Sequence, residues 1–503
     1  MATGRWPRWR TPALLAAAAL LSGFTILREI GPHDEGLMLQ AAQRIADGQW
    51  PYRDFWWNYG PGQPLLLAIP VELLGPSLLW WRILRVALDA VVALLAYRLA
   101  RRGGAPEGLA LGAWLAAAAA MAWPATPGPN PVALALVLGA LLLARRRPWL
   151  AGAMCGAAVA FRPEIGGAGA IAVAVAGGGW ASLGVAAAVA AAALAPFFAV
   201  APGDMLDDTV GFLGVQDMQR LPLDLTPGTA DPNKALEALF PAILVAATAL
   251  WAGWAAVRRP RWALVAAPLL AVGLLYLLGR PDEFHLVPLA VVLAVALAVA
   301  AAGEWAPAAR AALLAALALI ALHGVERRAG QLLRPPALAA VPSPVADGVR
   351  TTPSDAAALG ALLPRIAALV PPGEPIFVAP PRFDRVSVGD PLLYVLAQRP
   401  NPTRYDVIQP GIATTAAVQR EMIADLERAR PRVLVRWLDP RATRSEPNAS
   451  ARSSGVRLLD RYLAERYEPV ARFGPYRLER RVGRPSRGHG VLPASTSARD
   501  AAR

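Results

Sequence analysis

Residues 239–261 read LFPAILVAATALWAGWAAVRRPR: nineteen residues without a charge, then Arg258, Arg259 and Arg261. About 20 apolar residues in a helix cross the roughly 30 Å hydrocarbon layer of a bilayer. A basic cluster directly after such a run marks the cytoplasmic side. The same unit recurs outward from this stretch in both directions. Residues 78–97 are followed by Arg98, Arg101 and Arg102, and residues 131–143 by Arg145, Arg146 and Arg147. Further apolar runs occupy 12–27, 109–123, 149–161, 166–180, 183–200, 263–278, 285–301 and 309–322. The fold class this predicts is mainly α, a polytopic transmembrane helical bundle of about eleven spans.

Arg5, Arg8 and Arg10 before the first run put the N-terminus in the cytoplasm. An uncleaved first span fits better than a signal peptide, since no small-x-small cleavage site follows. Counting from inside, the arginine turns after the second, fourth and eighth spans all fall on the cytoplasmic side. The polar stretches 28–63, 162–164, 201–237 and 280–285 fall outside. The uncharged turn near Trp180 is the weakest joint of this count. The 64–74 segment is apolar but too short to span and is expected at the interface.

Of the 503 residues 55% are hydrophobic and 17% charged, against roughly 25% charged in soluble domains. The net charge of +14 is carried by arginine, with Lys234 the only lysine. Its concentration at span ends, with a second cluster in the C-terminal tail, speaks for topology rather than for nucleic acid. Cys155, the sole cysteine, lies in an apolar run, so no intrachain disulfide is available.

Near Arg334 the pattern changes. Prolines 335, 336, 342 and 344 lead into strands at 375–379 and 432–437, helices at 415–429 and 458–465, and a hairpin of 469–473 with 476–479 around Gly474-Pro475. This predicts a C-terminal extracytoplasmic α/β domain at 334–482, after a transmembrane domain at 1–333 with an outer loop at 28–63. The Ser, Arg and Gly-rich tail at 483–503 is expected to be disordered.

Chemistry-bearing residues cluster on the outer side. His33-Asp34-Glu35 opens a helix whose stripe of Leu37, Met38, Ala41, Ala42 and Ile45 predicts an amphipathic element on the outer interface, stopped by Gly48. Asp34 reads either as that helix's N-cap or as a base at the membrane surface. The aromatic run 50–62 fits an interfacial belt. Alternatively, the aromatics beside Arg53, Asp54 and Asn58 line a sugar or phosphate site. Arg162 and Glu164 form either a simple turn pair or, through Arg162, a phosphate contact. Arg280 and His285 sit before the tenth span, and Arg220 is a weaker basic candidate. Arg85 and Asp89, four apart inside the second span, are expected to pair. No zinc spacing, phosphate loop or nucleophile elbow is present. A divalent cation is compatible with the acidic loops, but no cofactor is required.

Asp34-Glu35, a loop helix, Gly48-x-x-Pro51-Tyr52-Arg53-Asp54-Phe55, then Tyr59-Gly60-Pro61-Gly62 before the second span resembles the GT-C superfamily of membrane glycosyltransferases. These include protein O-mannosyltransferases, aminoarabinose transferases and bacterial lipopolysaccharide-core transferases. Arg280-x-Asp282-x-x-His285 is similar to a stretch at this place in bacterial members. The resemblance implies an inverting transfer of a sugar from a polyprenyl-phosphate carrier to a glycan, lipid or protein acceptor. It makes Asp34 and Glu35 the catalytic carboxylates and Arg162, Arg280, His285 and Arg220 the donor-phosphate contacts. Arg53, Asp54 and Tyr59 become substrate contacts. The expected location is a bacterial plasma membrane. A transporter or lipid flippase, or a silent scaffold, are the competing readings.

Overall fold

The computed structural model describes residues 9–121, 128–225, 232–258 and 260–482. The tail expected to be disordered, the end of the 109–123 run, and Arg5, Arg8 and Arg259 lie outside the described residues.

Helices dominate, in the order α1 (Arg10–Gly23), α2 (Asp34–Ala46), α3 (Gly62–Leu74), α4 (Leu78–Arg102), α5 (Glu107–Met121), α6 (Asn130–Leu143), α7 (Pro148–Val159), α8 (Pro163–Val173) and α9 (Gly179–Val200). Helices at Pro232–Arg258, Arg261–Gly279, Glu283–Ala301 and Pro307–Leu333 complete the bundle. Among the described residues, five helical stretches are long and apolar enough to cross a membrane, and α3, α5, α6 and α7 are shorter apolar helices. The Phe284–Ala301 stretch is 89% buried, which makes it the central post of the bundle. It is built almost wholly of Ala, Val and Leu, whose small or compact side chains let neighbouring helices approach on every face.

Residues 163–200 form one helical stretch with a break. Gly177 at φ +118 and Gly179 at φ +64 take conformations that side chains resist, and the chain turns there. Arg145 Nε donates to the Ala176 carbonyl at 3.1 Å, so this uncharged turn lies beside the arginine turn that follows α6.

Contacts sort the loops onto two ends. At one, Arg10 pairs with Glu107, Arg102 reaches the Leu142 carbonyl, and Arg258 binds the Glu304 carbonyl and stacks over Trp305. At the other lie Asp34, Arg162, Arg280, the 202–219 segment and the C-terminal unit. Between them, within α4, Arg85 pairs with Asp89 at 2.8 Å, and Ser22 Oγ donates to Asp89 at 2.5 Å, as the four-residue spacing predicts.

The C-terminal unit carries a ribbon of β1 (Ala339–Ala340) and β2 (Arg350–Thr351). Its main sheet consists of β3 (Phe377–Ala379), β4 (Val433–Trp437), β5 (Tyr467–Phe473) and β6 (Tyr476–Arg481), in the order β3-β4-β6-β5. β3 and β4 run parallel, with Phe377 opposite Leu434, and the other pairs are antiparallel. Every residue of β4 is buried, as befits an inner strand covered on both faces. Helices at Pro353–Leu369 and Ala416–Ala429 flank the sheet, the latter N-capped by Thr415.

One hydrophobic core spans the outer loop and this unit. Leu37, Met38, Ala41 and Ala42 join Phe377, Leu393 and Val435 in the same buried cluster. The apolar stripe of α2 was expected on the membrane interface; it is instead clamped between α3 and the Leu392–Ala397 helix. The aromatic run was expected as an interfacial belt; Tyr52, Phe55 and Trp57 are fully buried, and Trp50 alone of that set is exposed. A Cβ on Gly36 would fall 2.3 Å from Leu392 N, a backbone atom that cannot swing aside. Gly36→Ala is therefore expected to destabilise the fold by about 1–3 kcal/mol, read as a lowered melting temperature in detergent. An unchanged melt would show that α2 and this helix are not in register.

Candidate functional site

The site begins at a buried ion pair. Glu35 is 2% exposed and takes both forks of Arg82, Nε to Oε1 at 2.7 Å and Nη2 to Oε2 at 2.8 Å. Its Oε2 also accepts the Gly31 N–H at 2.9 Å. Arg82 spends its other protons on the carbonyls of Ile26 at 2.6 Å and Glu29 at 2.7 Å. The 26–35 segment is thus wound around one guanidinium. Successive helical residues point about 100° apart, so a Glu35 turned inward leaves Asp34 turned outward. Asp34 is exposed and makes no hydrogen bond or ion pair with the described residues. It is the first residue of α2, whose N-cap is His33, and it makes no capping bond. The capping role that its position invites is unused.

Beside it stands His33, whose Nε2 lies 3.1 Å from Gln409 Nε2. Burial holds the imidazole below its ordinary pKa, with the Arg280 charge adding to the depression and Asp34 opposing it. The ring is therefore neutral at pH 7.

The Tyr59-Gly60-Pro61-Gly62 turn rests on the joint between α7 and α8. Gly62 N–H donates to the Ala160 carbonyl at 2.8 Å, and a Cβ on Gly60 would meet that oxygen at 2.1 Å. This contact brings the Tyr59 ring 5.9 Å from the Arg162 guanidinium. Burial raises the Tyr59 pKa; Arg162 pulls it down, while Asp34 and Asp282 push it up, so all three charges converge on this phenol. Arg162 is 6% exposed, pairs with Glu164 at 2.7 Å and donates to the Tyr276 hydroxyl, which donates on to Glu164.

Arg280 is the meeting point of three segments. Nε binds Asp282 at 2.7 Å, Nη1 donates to the Gln219 carbonyl at 3.0 Å, and the Nη pair grips Glu446 at 2.6 and 3.0 Å. His285 Nδ1 lies 2.6 Å from Asp282 Oδ1. Burial favours the neutral form of Asp282, but His285 and then Arg280 outweigh it and hold the carboxyl below its usual range.

Asp34, Tyr59, Arg162, Arg280 and His285 therefore share one end of the bundle. Arg220 is joined to them through its backbone neighbour Gln219, while its exposed side chain braces the Leu278 carbonyl at 2.8 Å. Arg53 and Asp54 are not part of this group. They pair with each other at 2.6 Å on the surface, where Asp54 also accepts the Trp50 N–H at 2.7 Å. That turn follows the far end of α2, a helix length of roughly 18 Å from Asp34. Sequence reasoning gave no role to Arg82, Tyr276, Gln409 or Glu446. Only Tyr276, one turn before Arg280 on the same helix, left a local signal. Among the described residues no group of three His, Cys, Asp or Glu side chains is placed to hold a metal ion.

No family model and no curated protein matches the sequence. Solved structures do match. ArnT from Cupriavidus metallidurans, solved bound to undecaprenyl phosphate, superimposes with a TM-score of 0.57 at 15% identity, covering 95% of this chain and 99% of ArnT. Its apo state gives a TM-score of 0.55 at 15% identity over 93% and 97% of the two chains. The chain therefore shares the fold of ArnT. The superposition runs through both the helical bundle and the C-terminal unit, so the shared architecture extends beyond the motif around Asp34. At this identity it fixes the arrangement of elements and leaves the chemistry to the residues of this chain.

Proposed function

We propose that this protein is a membrane glycosyltransferase that moves a sugar from a polyprenyl-phosphate carrier to an acceptor hydroxyl at the extracytoplasmic face, with inversion. The observation that carries this is Asp34, an exposed carboxylate without a partner among the described residues, set beside Arg162 and Arg280 at one bundle end. Topology follows from the arginine turns: about eleven spans, a cytoplasmic N-terminus, the C-terminal unit outside, and a bacterial plasma membrane as the setting.

In this reading the donor's tail lies among the helices and its phosphate meets Arg162 and Arg280, with His285 and Arg220 behind them. The phosphate is the leaving group, and positive charge stabilises it as the glycosidic bond breaks. Asp34 takes the acceptor proton as the hydroxyl attacks the anomeric carbon. Glu35 acts as a positioning residue, because Arg82 occupies both its oxygens. Tyr59 closes the site over Arg162. Arg53 and Asp54 serve the loop's surface turn, and the acceptor is a glycan, lipid or protein.

Buried charges inside the bundle give the transporter or flippase reading its one argument, since such residues often mark a transport path. Arg85 and Asp89 are held by each other, Ser22 and the Met121 carbonyl, which suits a brace between helices, although Arg85 Nη1 and Asp89 Oδ1 are buried without a hydrogen-bond partner among the described residues.

The test is sugar transfer by purified protein in lipid, given a panel of radiolabelled polyprenyl-phosphate sugars and a lysate of acceptors. Release of free polyprenyl phosphate is expected with at least one donor. Well-folded protein that releases none, but moves a fluorescent polyprenyl phosphate across vesicles, would establish the flippase instead.

A further inference from the structure

Two loops of the C-terminal unit, 382–388 and 439–457, form one surface. Ser387 N–H donates to the Ala442 carbonyl at 2.8 Å, and Ser454 N–H to the Asp384 carbonyl at 2.8 Å. The surface is strongly basic. Arg382 and Arg457 share one fully buried carboxylate, Asp384, whose second oxygen also takes the Ser453 hydroxyl. Those arginines hold the Asp384 carboxyl well below its usual range, so it stays charged and anchors the loops. Arg385, Arg444 and Arg452 have no carboxylate partner among the described residues, and Arg385 Nε is buried without any hydrogen bond. Among the described residues, Arg428, Arg432 and Arg480 elsewhere on this unit do have one, Asp425 at 2.9 Å, Glu374 at 2.9 Å and Glu468 at 3.0 Å, while Arg365, Arg420, Arg461 and Arg472 do not. What sets Arg385, Arg444 and Arg452 apart is that two joined loops gather them on one surface next to the site.

The surface borders the site on two sides. Glu446 of the second loop grips Arg280, and the Gly389 backbone, just past the first loop, abuts His33 next to Asp34. Its composition also discriminates between ligands. Among the described residues, no large apolar side chain between 382 and 457 is exposed. A face resting on a bilayer interleaves its basic residues with apolar ones that insert between lipids. Here the arginines are interleaved with Ser445 and Ser454, exposed hydroxyl donors that suit a hydrated anion.

We propose that this arginine face binds the acceptor, a hydrophilic glycan bearing phosphate or carboxylate groups, and feeds its hydroxyl to Asp34. The forked guanidinium matches both anions in bidentate geometry. This rests on the transferase reading above and gives its acceptor a chemical class. Unpaired charge on the rim of a site also concentrates an anionic polymer near it in a salt-dependent way.

The experiment uses the full chain in neutral phosphatidylcholine nanodiscs, with phosphomannan as probe and the same polymer after dephosphorylation as control. The triple variant Arg385→Gln, Arg444→Gln, Arg452→Gln removes three charges that no carboxylate of the fold relies on. Wild type should bind phosphomannan and not the control, and the variant should bind about tenfold more weakly, as expected when three ion pairs to the polymer are removed at once. Hydrolytic release of polyprenyl phosphate from donor alone should be the same in both proteins. Equal phosphomannan binding by the two proteins overturns the proposal. So does a variant that differs from wild type only in discs containing phosphatidylglycerol, which would make the face a membrane contact. A wild type that binds phosphomannan but releases no polyprenyl phosphate from any donor refutes the transferase reading while the anionic site stands.

Discussion

Asp34→Asn lowers sugar transfer by about 10²–10⁴-fold and leaves the protein as stable as wild type. The size follows from the role. An acceptor hydroxyl attacks poorly until its proton leaves, and a positioned base contributes a factor of that order. Asn keeps the shape of the side chain and cannot take the proton. Unchanged stability follows from geometry, because Asp34 is exposed, caps nothing and makes no hydrogen bond or ion pair with the described residues. The measurement is labelled polyprenyl phosphate released at saturating donor, alongside a thermal melt in the same lipid. A variant within threefold of wild type would remove Asp34 from the chemistry. A loss of both rate and fold would point to a contact absent from this structure.

How far the sequence speaks depends on how far apart the interacting residues lie. The Arg85–Asp89 pair was legible because helical geometry brings residues four apart together. The β5–β6 hairpin was legible from its Gly474-Pro475 turn and the alternation around it. The stripe on α2 was equally visible, but its periodicity announces only that the face is covered. Membrane interface and protein core look alike to it, and what covers it is a helix about 350 residues further on. Arg280 could be flagged as a basic residue at a span end; that Glu446, 166 positions later, fills its fork could not. The boundary near Arg334 marks a real change in composition, yet the 28–63 loop folds with the unit beyond it. Arg44 binds Asp406 at 2.7 Å, and Arg404 reaches the Tyr52 carbonyl at 2.7 Å and Asp208 at 3.0 Å. The candidate base is thus presented by a composite of two distant parts of the chain.

Removing either partner of the Glu35–Arg82 pair is expected to cost about 3–5 kcal/mol of stability, because the survivor is left as an uncompensated charge in a dry site. Both side chains are about 2% exposed, so water cannot solvate the remaining charge without opening the loop. Arg82→Met should be the more damaging change. It strands the Glu35 carboxylate and also the Ile26 and Glu29 carbonyls, whereas Glu35→Ala leaves Arg82 with those carbonyls still bound. The double variant Glu35→Leu, Arg82→Met should be destabilised by less than the sum of the singles, with a coupling of about 0.5–3 kcal/mol typical of contacting residues. Melting curves of the four proteins in one detergent measure this. The same series separates the two carboxylates. Glu35→Gln can still accept from Arg82, so it should melt earlier than wild type and retain much of its turnover at a temperature where it stays folded. Asp34→Asn should do the reverse, melting normally and failing to turn over. If Glu35→Gln instead melts like wild type and is inactive, Glu35 takes part in the proton transfer and the assignment of the two residues must be exchanged. The contrast arises from one turn of helix, in which Glu35 is committed to Arg82 and its neighbour is left facing out with a free lone pair.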